Sequence, residues 1–232
     1  MTNDTCKSHN KCKLIVIDGL DGSGKATQTK LLCERLNHEG YQARTISFPD
    51  YESDSSALVR MYLGGKLGSS PDDVNAYAAS SFYAVDRVAS YINSWGRDYA
   101  AYDYIIADRY TTSNIIHQMS KLKENERESY IEWLFDYEYN RLGIPAPDRV
   151  IFLDVDPAVS QKLIFGRYQG DESKKDIHER DFEYLLRCRA SAEYAIKHLG
   201  WLRIECAENG QMRSIESIND EIMTLVKGSS HA

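Results

Sequence analysis

Three features of the sequence predict an alternating α/β fold built on a largely parallel sheet. Five short β-type runs recur along the chain, and the stretches between them carry helical periodicity or helix-forming composition. The first run ends in a glycine-rich turn that leads straight into a helix. The 232 residues suffice for one such domain, with helices covering both faces of the sheet. Strands joined by helices run parallel through right-handed crossovers, and these sheets hold ligands beyond the carboxyl ends of their strands. Functional residues are therefore expected just after strands.

The first strand is predicted over Leu14–Asp18, inside the segment LIVIDGLDGSGKAT that ends at Thr27. The spacing Gly19-x-x-x-x-Gly24-Lys25 sets a turn poor in side chains between a buried strand and the first turn of a helix. Backbone N–H groups can converge there on phosphate oxygens, and Lys25 adds a mobile charge that reaches the β and γ phosphates of ATP. Gly19, Asp21, Gly22, Ser23, Gly24, Lys25, Ala26 and Thr27 make up this expected ATP-binding segment. The residue after the lysine, commonly a Ser or Thr that contacts magnesium, is Ala26, and Thr27 comes one place late.

A helix is expected near Lys25–Glu39 and a strand over Ala43–Phe48, followed by Phe48-Pro49-Asp50-Tyr51. The next helix, near Pro71–Trp95, carries Tyr83 and Arg87 one turn apart on one face. Read alone, they are a tyrosine packed on a neighbouring helix with a solvated arginine beside it. The strand Tyr104–Asp108 leads into DRYTTSN, where Arg109 stands at a helix entrance that already favours anions. Asp108 reads there as a helix cap or as a magnesium-linked carboxylate. The helix Thr111–Met119 carries Asn114 and His117 three residues apart, a pattern that alone suits a polar surface pair. Two anion sites on one sheet edge suggest a donor and an acceptor phosphate.

Further helices are expected near Glu124–Leu142, Pro157–Phe165, His178–Leu199 and Ile215–Val226, with strands over Val150–Asp154 and Leu202–Glu205. Between helices, Phe165–Asp176 (FGRYQGDESKKD) is charged and contains glycine, and reads as a solvated loop or a lid. Residues 1–10 and 228–232 are expected to be flexible. A formal charge of −7 disfavours a surface for nucleic-acid polymers, which would need a basic stripe. No segment approaches the roughly 18 consecutive apolar residues of a membrane span, and the polar start lacks a secretory core. Five cysteines without a C-x-x-C pair argue against a disulfide framework or structural zinc, so reduced thiols and a cytoplasmic location are expected.

Together GLDGSGKATQT, FPDY, FYAVDR, DRYTTSN and LGIPAPDRVIFLDVDP resemble the thymidylate kinases, over about Lys13 to Val226. That resemblance implies a P-loop NTPase three-layer sandwich with a five-stranded parallel sheet flanked by helices. It also implies a hinged lid at about 165–176, a homodimer built by helix packing, and transfer of phosphate from ATP to dTMP with Mg2+ as cofactor. By position it assigns Lys25 to the donor phosphates, Asp21 to the acceptor sugar and phosphate, and Phe48 to the base pocket. Tyr51 falls near the acceptor phosphate, Tyr83 under the base, Arg87 at the thymine carbonyl, and Asp108 and Arg109 at the metal and the acceptor phosphate. Asn114 matches a base-reading position. His117 stands where tyrosine or glutamine is common, a departure that bears on sugar discrimination. Gly22, where some eukaryotic members carry arginine, points to the bacterial-type arrangement in which a lid arginine, here Arg167, reaches ATP. Asp176 and Glu179 fall near the acceptor site and equally suit a helix N-terminus. The resemblance further implies a cis bond at Phe48–Pro49. Two rival readings of the loop are a kinase of this fold acting on another nucleotide and a non-enzymatic ATP switch.

Overall fold

The computed structural model describes residues 12–156, 159–160, 163, 165–166, 171 and 176–228. Its centre is β1 (Lys13–Gly19), whose residues after Lys13 are all buried. A strand covered on both faces needs such an unbroken apolar run. It lies between β3 (Tyr104–Asp108) and β4 (Arg149–Asp154), with β2 (Ala43–Ser47) and β5 (Leu202–Glu205) at the edges. The order is β2-β3-β1-β4-β5 and every pairing is parallel.

Alternation along the strands divides the apolar side chains between two cores. Leu14, Val16, Ile105, Ala107 and Phe152 face one. That side is covered by α3 (Ala76–Ser90), α4 (Thr112–His117), α5 (Arg127–Phe135) and α7 (Phe182–Leu199). Ile15, Ile17, Ile106 and Ile151 face the other, under α1 (Lys25–His38) and α8 (Ile215–Lys227). Ile17 is level with Asp108 on one neighbour, and Ser47 with Asp108 on the other. The glycine-rich loop, the DRYTTSN segment and the Phe48–Pro49 turn therefore rise side by side from one sheet edge.

Several elements differ from the sequence expectation. The helix foreseen over Pro71–Trp95 is broken: Pro71–Asp73 is a separate 3-10 turn, Val74 is extended, and Asn75 caps α3 by accepting from Ala78 N–H. Beyond α3 the chain widens into a π-helical turn, Tyr91–Trp95. Likewise α5 passes into a π-helical stretch, Asp136–Arg141. The helix foreseen over His178–Leu199 splits into α6 (Ile177–Arg180) and α7, because Asp181 turns extended and caps α7 through Tyr184 N–H. Among the elements not foreseen are α2 (Ala57–Leu63), a one-turn helix over Gly96–Tyr99, and the hairpin of β6 (Ala207–Glu208) and β7 (Gln211–Met212). The Phe48–Pro49 bond is cis, as expected. Most of the helix expected at Pro157–Phe165, most of the lid including Arg167, and the ends 1–10 and 229–232 lie outside the described residues. No described helix is long and apolar enough to cross a membrane.

Candidate active site

An open cleft and a deeper pocket meet at this sheet edge. Gly22, Gly24, Lys25, Ala26, Thr27 and Asp108 line the cleft. The pocket is walled by Phe48, Tyr83, Arg87, Asn114 and His117. Asp21, Tyr51, Arg109 and Asp176 border both, so they stand at the junction.

The loop turns through left-handed backbone at Gly22 (φ 80°) and Gly24 (φ 87°), conformations that glycine adopts without a Cβ penalty. Gly24 also occupies the N-cap of α1 without offering a side chain, leaving the first N–H groups of that helix for a ligand. At Gly19 a Cβ would fall 2.6 Å from Ser23 Oγ and 2.7 Å from the Leu153 carbonyl oxygen, so the loop lies directly on β4. Ser23 Oγ is buried and has no hydrogen-bond partner among the described residues. The Lys25 ammonium donates to Leu20 O at 2.9 Å and is 4.0 Å from Asp21 Oδ1. Burial and the nearby Arg109 charge pull its pKa down to about 8, against the pull of Asp21.

Arg109 organises the junction from a left-handed backbone (φ 65°), which is uncommon for any residue but glycine. Nη2 donates to Asp21 Oδ1 at 2.5 Å, and Nη1 lies 3.1 Å from His117 Nε2 and 3.7 Å from Asp18 Oδ1. Burial alone would lower the Arg109 pKa, but Asp21, Asp18 and Asp108 raise it. Burial would likewise raise Asp21, yet Arg109 and Lys25 hold its carboxyl well below the usual range. Asp18 itself is fully buried and accepts from Gly19 N–H, Thr112 Oγ1 and Ser113 Oγ at 2.6–2.8 Å. Asp108 is raised by burial, opposed by Lys25 and Arg109.

Arg87, Asn114 and His117 are not the surface residues that they suggest in isolation: all three are buried. Arg87 forms a two-pronged pair with Glu138, with Nε to Oε2 and Nη2 to Oε1 both at 2.6 Å. Below His117, its ring stacks on His178 at 5.4 Å, and His178 Nε2 lies 3.0 Å from the Tyr62 hydroxyl of α2. Burial and Lys121 push the His178 pKa down to about 3. Asp176 and Glu179 cap α6 reciprocally, which supports the capping reading, while both line the cleft. Asp176 is pushed up to about 7 by burial and Asp21.

The cleft and pocket thus gather most of the described residues singled out in the sequence for phosphate, base or metal, whereas Gly19 and Ser23 line neither. Asp18, Glu138 and His178 were not anticipated. Asp18 left a signal, an acid inside an apolar strand. Glu138 left none, because its arginine lies 51 positions away.

A thymidylate kinase family model matches residues 17–221. The chain belongs to the thymidylate kinase family. A thymidylate kinase of Mycobacterium tuberculosis is 33% identical over 191 residues, covering 81% of this chain and 87% of the relative. One from Schizosaccharomyces pombe is 28% identical over 218 residues, covering 94% and 92%. The solved structure of the Candida albicans thymidylate kinase matches with a TM-score of 0.67 at 20% identity, covering 94% of this chain and 92% of that one. At that identity the likeness bears on the fold, which is that of the P-loop NTPases.

Proposed function

We infer that the protein transfers the γ-phosphoryl group of ATP to dTMP, giving dTDP for deoxynucleotide synthesis. The observation that carries this reading is the junction: Arg109 and Asp21 stand where the phosphate-loop cleft opens into a pocket ending at the buried Arg87. A monophosphate nucleotide laid through it would put its phosphate at Arg109 and its base between Phe48, Tyr83 and Arg87. The Arg87 guanidinium only donates, which suits the C4 carbonyl of thymine and opposes the C4 amino group of cytosine.

Phosphoryl transfer requires little covalent work from the protein beyond alignment and charge stabilisation. Gly22–Thr27 would cradle the ATP phosphates, with the unpaired Ser23 hydroxyl and the Lys25 ammonium turning to them. Arg109 would exchange part of its contact with Asp21 for the acceptor phosphate. That phosphate is already anionic near neutral pH, so no strong base is needed. Among the described residues no cluster of three ligating side chains exists to cage a metal. The Asp108 carboxylate beside the phosphate loop suits Mg2+, which takes one or two carboxylates and fills its shell with phosphates and waters. When bound, the ion would neutralise charge on the ATP phosphates. Ala26 offers it no side-chain oxygen.

The resemblance supports a lid over 165–176 carrying Arg167 to the ATP phosphates. It also supports a homodimer, to which the exposed Tyr77, Val85 and Ile92 along α3 and its extension are suited. The free thiols of Cys12, Cys33, Cys188 and Cys206 fit a reducing cytoplasm. An ADP-coupled assay across deoxynucleoside and ribonucleoside monophosphates tests the reading. The expected outcome is a preference for dTMP over dCMP of at least about tenfold in kcat/KM. A preference for dCMP or a purine nucleotide would overturn it.

A further inference from the structure

Glu138 is fully buried, lies outside the cavity lining, and accepts from Arg87 and Asn114, two polar residues of the pocket wall. Its Oε2 receives Arg87 Nε (2.6 Å) and Thr111 Oγ1 (3.1 Å), and its Oε1 receives Arg87 Nη2 (2.6 Å) and Asn114 Nδ2 (3.2 Å). Four donors on two oxygens describe a carboxylate that only accepts. We infer that Glu138 is the positioning residue that fixes the hydrogen-bonding polarity of the pocket, and thereby its choice of a 4-oxo over a 4-amino pyrimidine. The inference rests on the thymidylate reading of this pocket.

The side-chain amide of Asn114 carries the argument. Its Nδ2 donates to Glu138 Oε1 and to Ser80 O (3.3 Å), and neither partner can donate in return. Turning the amide over would set Oδ1 against two acceptors, so the orientation is fixed by chemistry. Both amide protons are spent, and Oδ1 has no partner among the described residues, so it is the free end at the pocket wall. Arg87 is held in the same way. With Nε and one Nη2 proton on Glu138, its remaining Nη protons form the edge that borders the pocket, one Nη1 proton directed at Tyr110 O at a long 3.4 Å. The wall therefore presents a donor from Arg87 beside an acceptor from Asn114. A base with a C4 carbonyl and an N3–H answers both, whereas one with a C4 amino group and a bare N3 opposes both. Glu138 reaches this place because the helix beyond α5 widens into its π-helical stretch there, a distortion common near functional sites.

Glu138→Gln tests this with little change of shape. Its amide nitrogen must face a donor whichever way it lies: Arg87 Nη2 and Asn114 Nδ2 in one orientation, Arg87 Nε in the other. Turning Asn114 over relieves the Asn114 half of the first conflict, at the cost of setting Oδ1 against Ser80 O, and presents Nδ2 to the base. The measurement is kcat/KM for dTMP and for 5-methyl-dCMP, which differ only at C4 and N3, in wild type and variant. The expected result is a fall of about tenfold or more in the dTMP to 5-methyl-dCMP ratio, through a higher KM for dTMP with the KM for ATP unchanged. A merely structural role would lower the active fraction and leave the ratio alone. A folded Glu138→Gln protein whose ratio falls less than that overturns the inference. Should the variant fail to fold, Glu138→Asp decides: it keeps an acceptor-only group, so the ratio should stay within about threefold of wild type, and a collapse overturns the inference. Wild type that does not prefer dTMP to 5-methyl-dCMP would instead defeat the thymidylate reading of the pocket itself.

Discussion

Arg109 Nη1 lies 3.1 Å from His117 Nε2, and the contact fixes the state of the imidazole. A guanidinium cannot accept, so Nε2 must. The proton then sits on Nδ1, 3.5 Å from the Cys188 sulfur. Burial and the Arg109 charge keep the His117 pKa well below the ordinary value, in agreement with a neutral ring. His117 thus acts as an acceptor that steadies the arginine proposed to hold the acceptor phosphate.

His117→Phe preserves the ring against His178 and removes that acceptor. The KM for dTMP should rise about five- to tenfold while the KM for ATP stays within twofold, since loss of one hydrogen bond to a charged group is worth about 1.5–3 kcal/mol at most. Steady-state kinetics with each substrate varied in turn would show it, and an unchanged dTMP KM would remove His117 from the site.

Lys25→Ala should cut kcat by about a hundredfold or more with little loss of thermal stability, because the ammonium stabilises charge chiefly during transfer. Among the described residues its only hydrogen bond is to the Leu20 carbonyl, so folding depends little on it. Near-normal turnover would exclude Lys25 from the chemistry.

The buried His178 gives stability a pH dependence of definite sign. Its folded pKa is depressed from 6.5 to about 3, so between those values the unfolded chain binds more protons than the folded one. Stability falls as pH drops from 6.5, by up to about 1.4 kcal/mol per pH unit for a group that charges only when unfolded. His178→Gln should flatten the curve of urea midpoint against pH between 6.5 and 4. Parallel curves for the two proteins would refute the assignment.

Asp18→Ala strands the Gly19 N–H and the Thr112 and Ser113 hydroxyls, all of which donate to Asp18. Unfolding free energy measured with urea should drop by about 2–4 kcal/mol, given that each buried unsatisfied group costs about 1–3 kcal/mol and such losses do not add fully. A loss below about 1 kcal/mol would mean that water replaces the carboxylate without penalty.

Strands and phosphate loop were legible because their signals are local: an apolar run such as Leu14–Ile17 and the spacing from Gly19 to Lys25 need no knowledge of the rest of the chain. Helix interruptions were less so. Asn75 and Asp181 are unremarkable in composition, and only their capping of α3 and α7 shows why the helices restart there. The burial of Arg87, Asn114 and His117 was hidden for another reason. Polar residues on a helix read as solvated until their partners are known, and Glu138 and Cys188 are supplied by distant elements. Family resemblance placed these residues near the nucleotide, while the geometry adds what holds them in place.

Asp18 ends an apolar strand, yet it grips the first turn of α4 through Thr112 and Ser113 and the phosphate loop through Gly19. Loop and Arg109 segment are therefore welded into one rigid body with the centre of the sheet. Covering segments that open and close over the nucleotides would leave this gauge untouched. The spacing between the two reacting phosphates would then be a property of the scaffold, present before either substrate arrives, and motion elsewhere would govern admission and the exclusion of water.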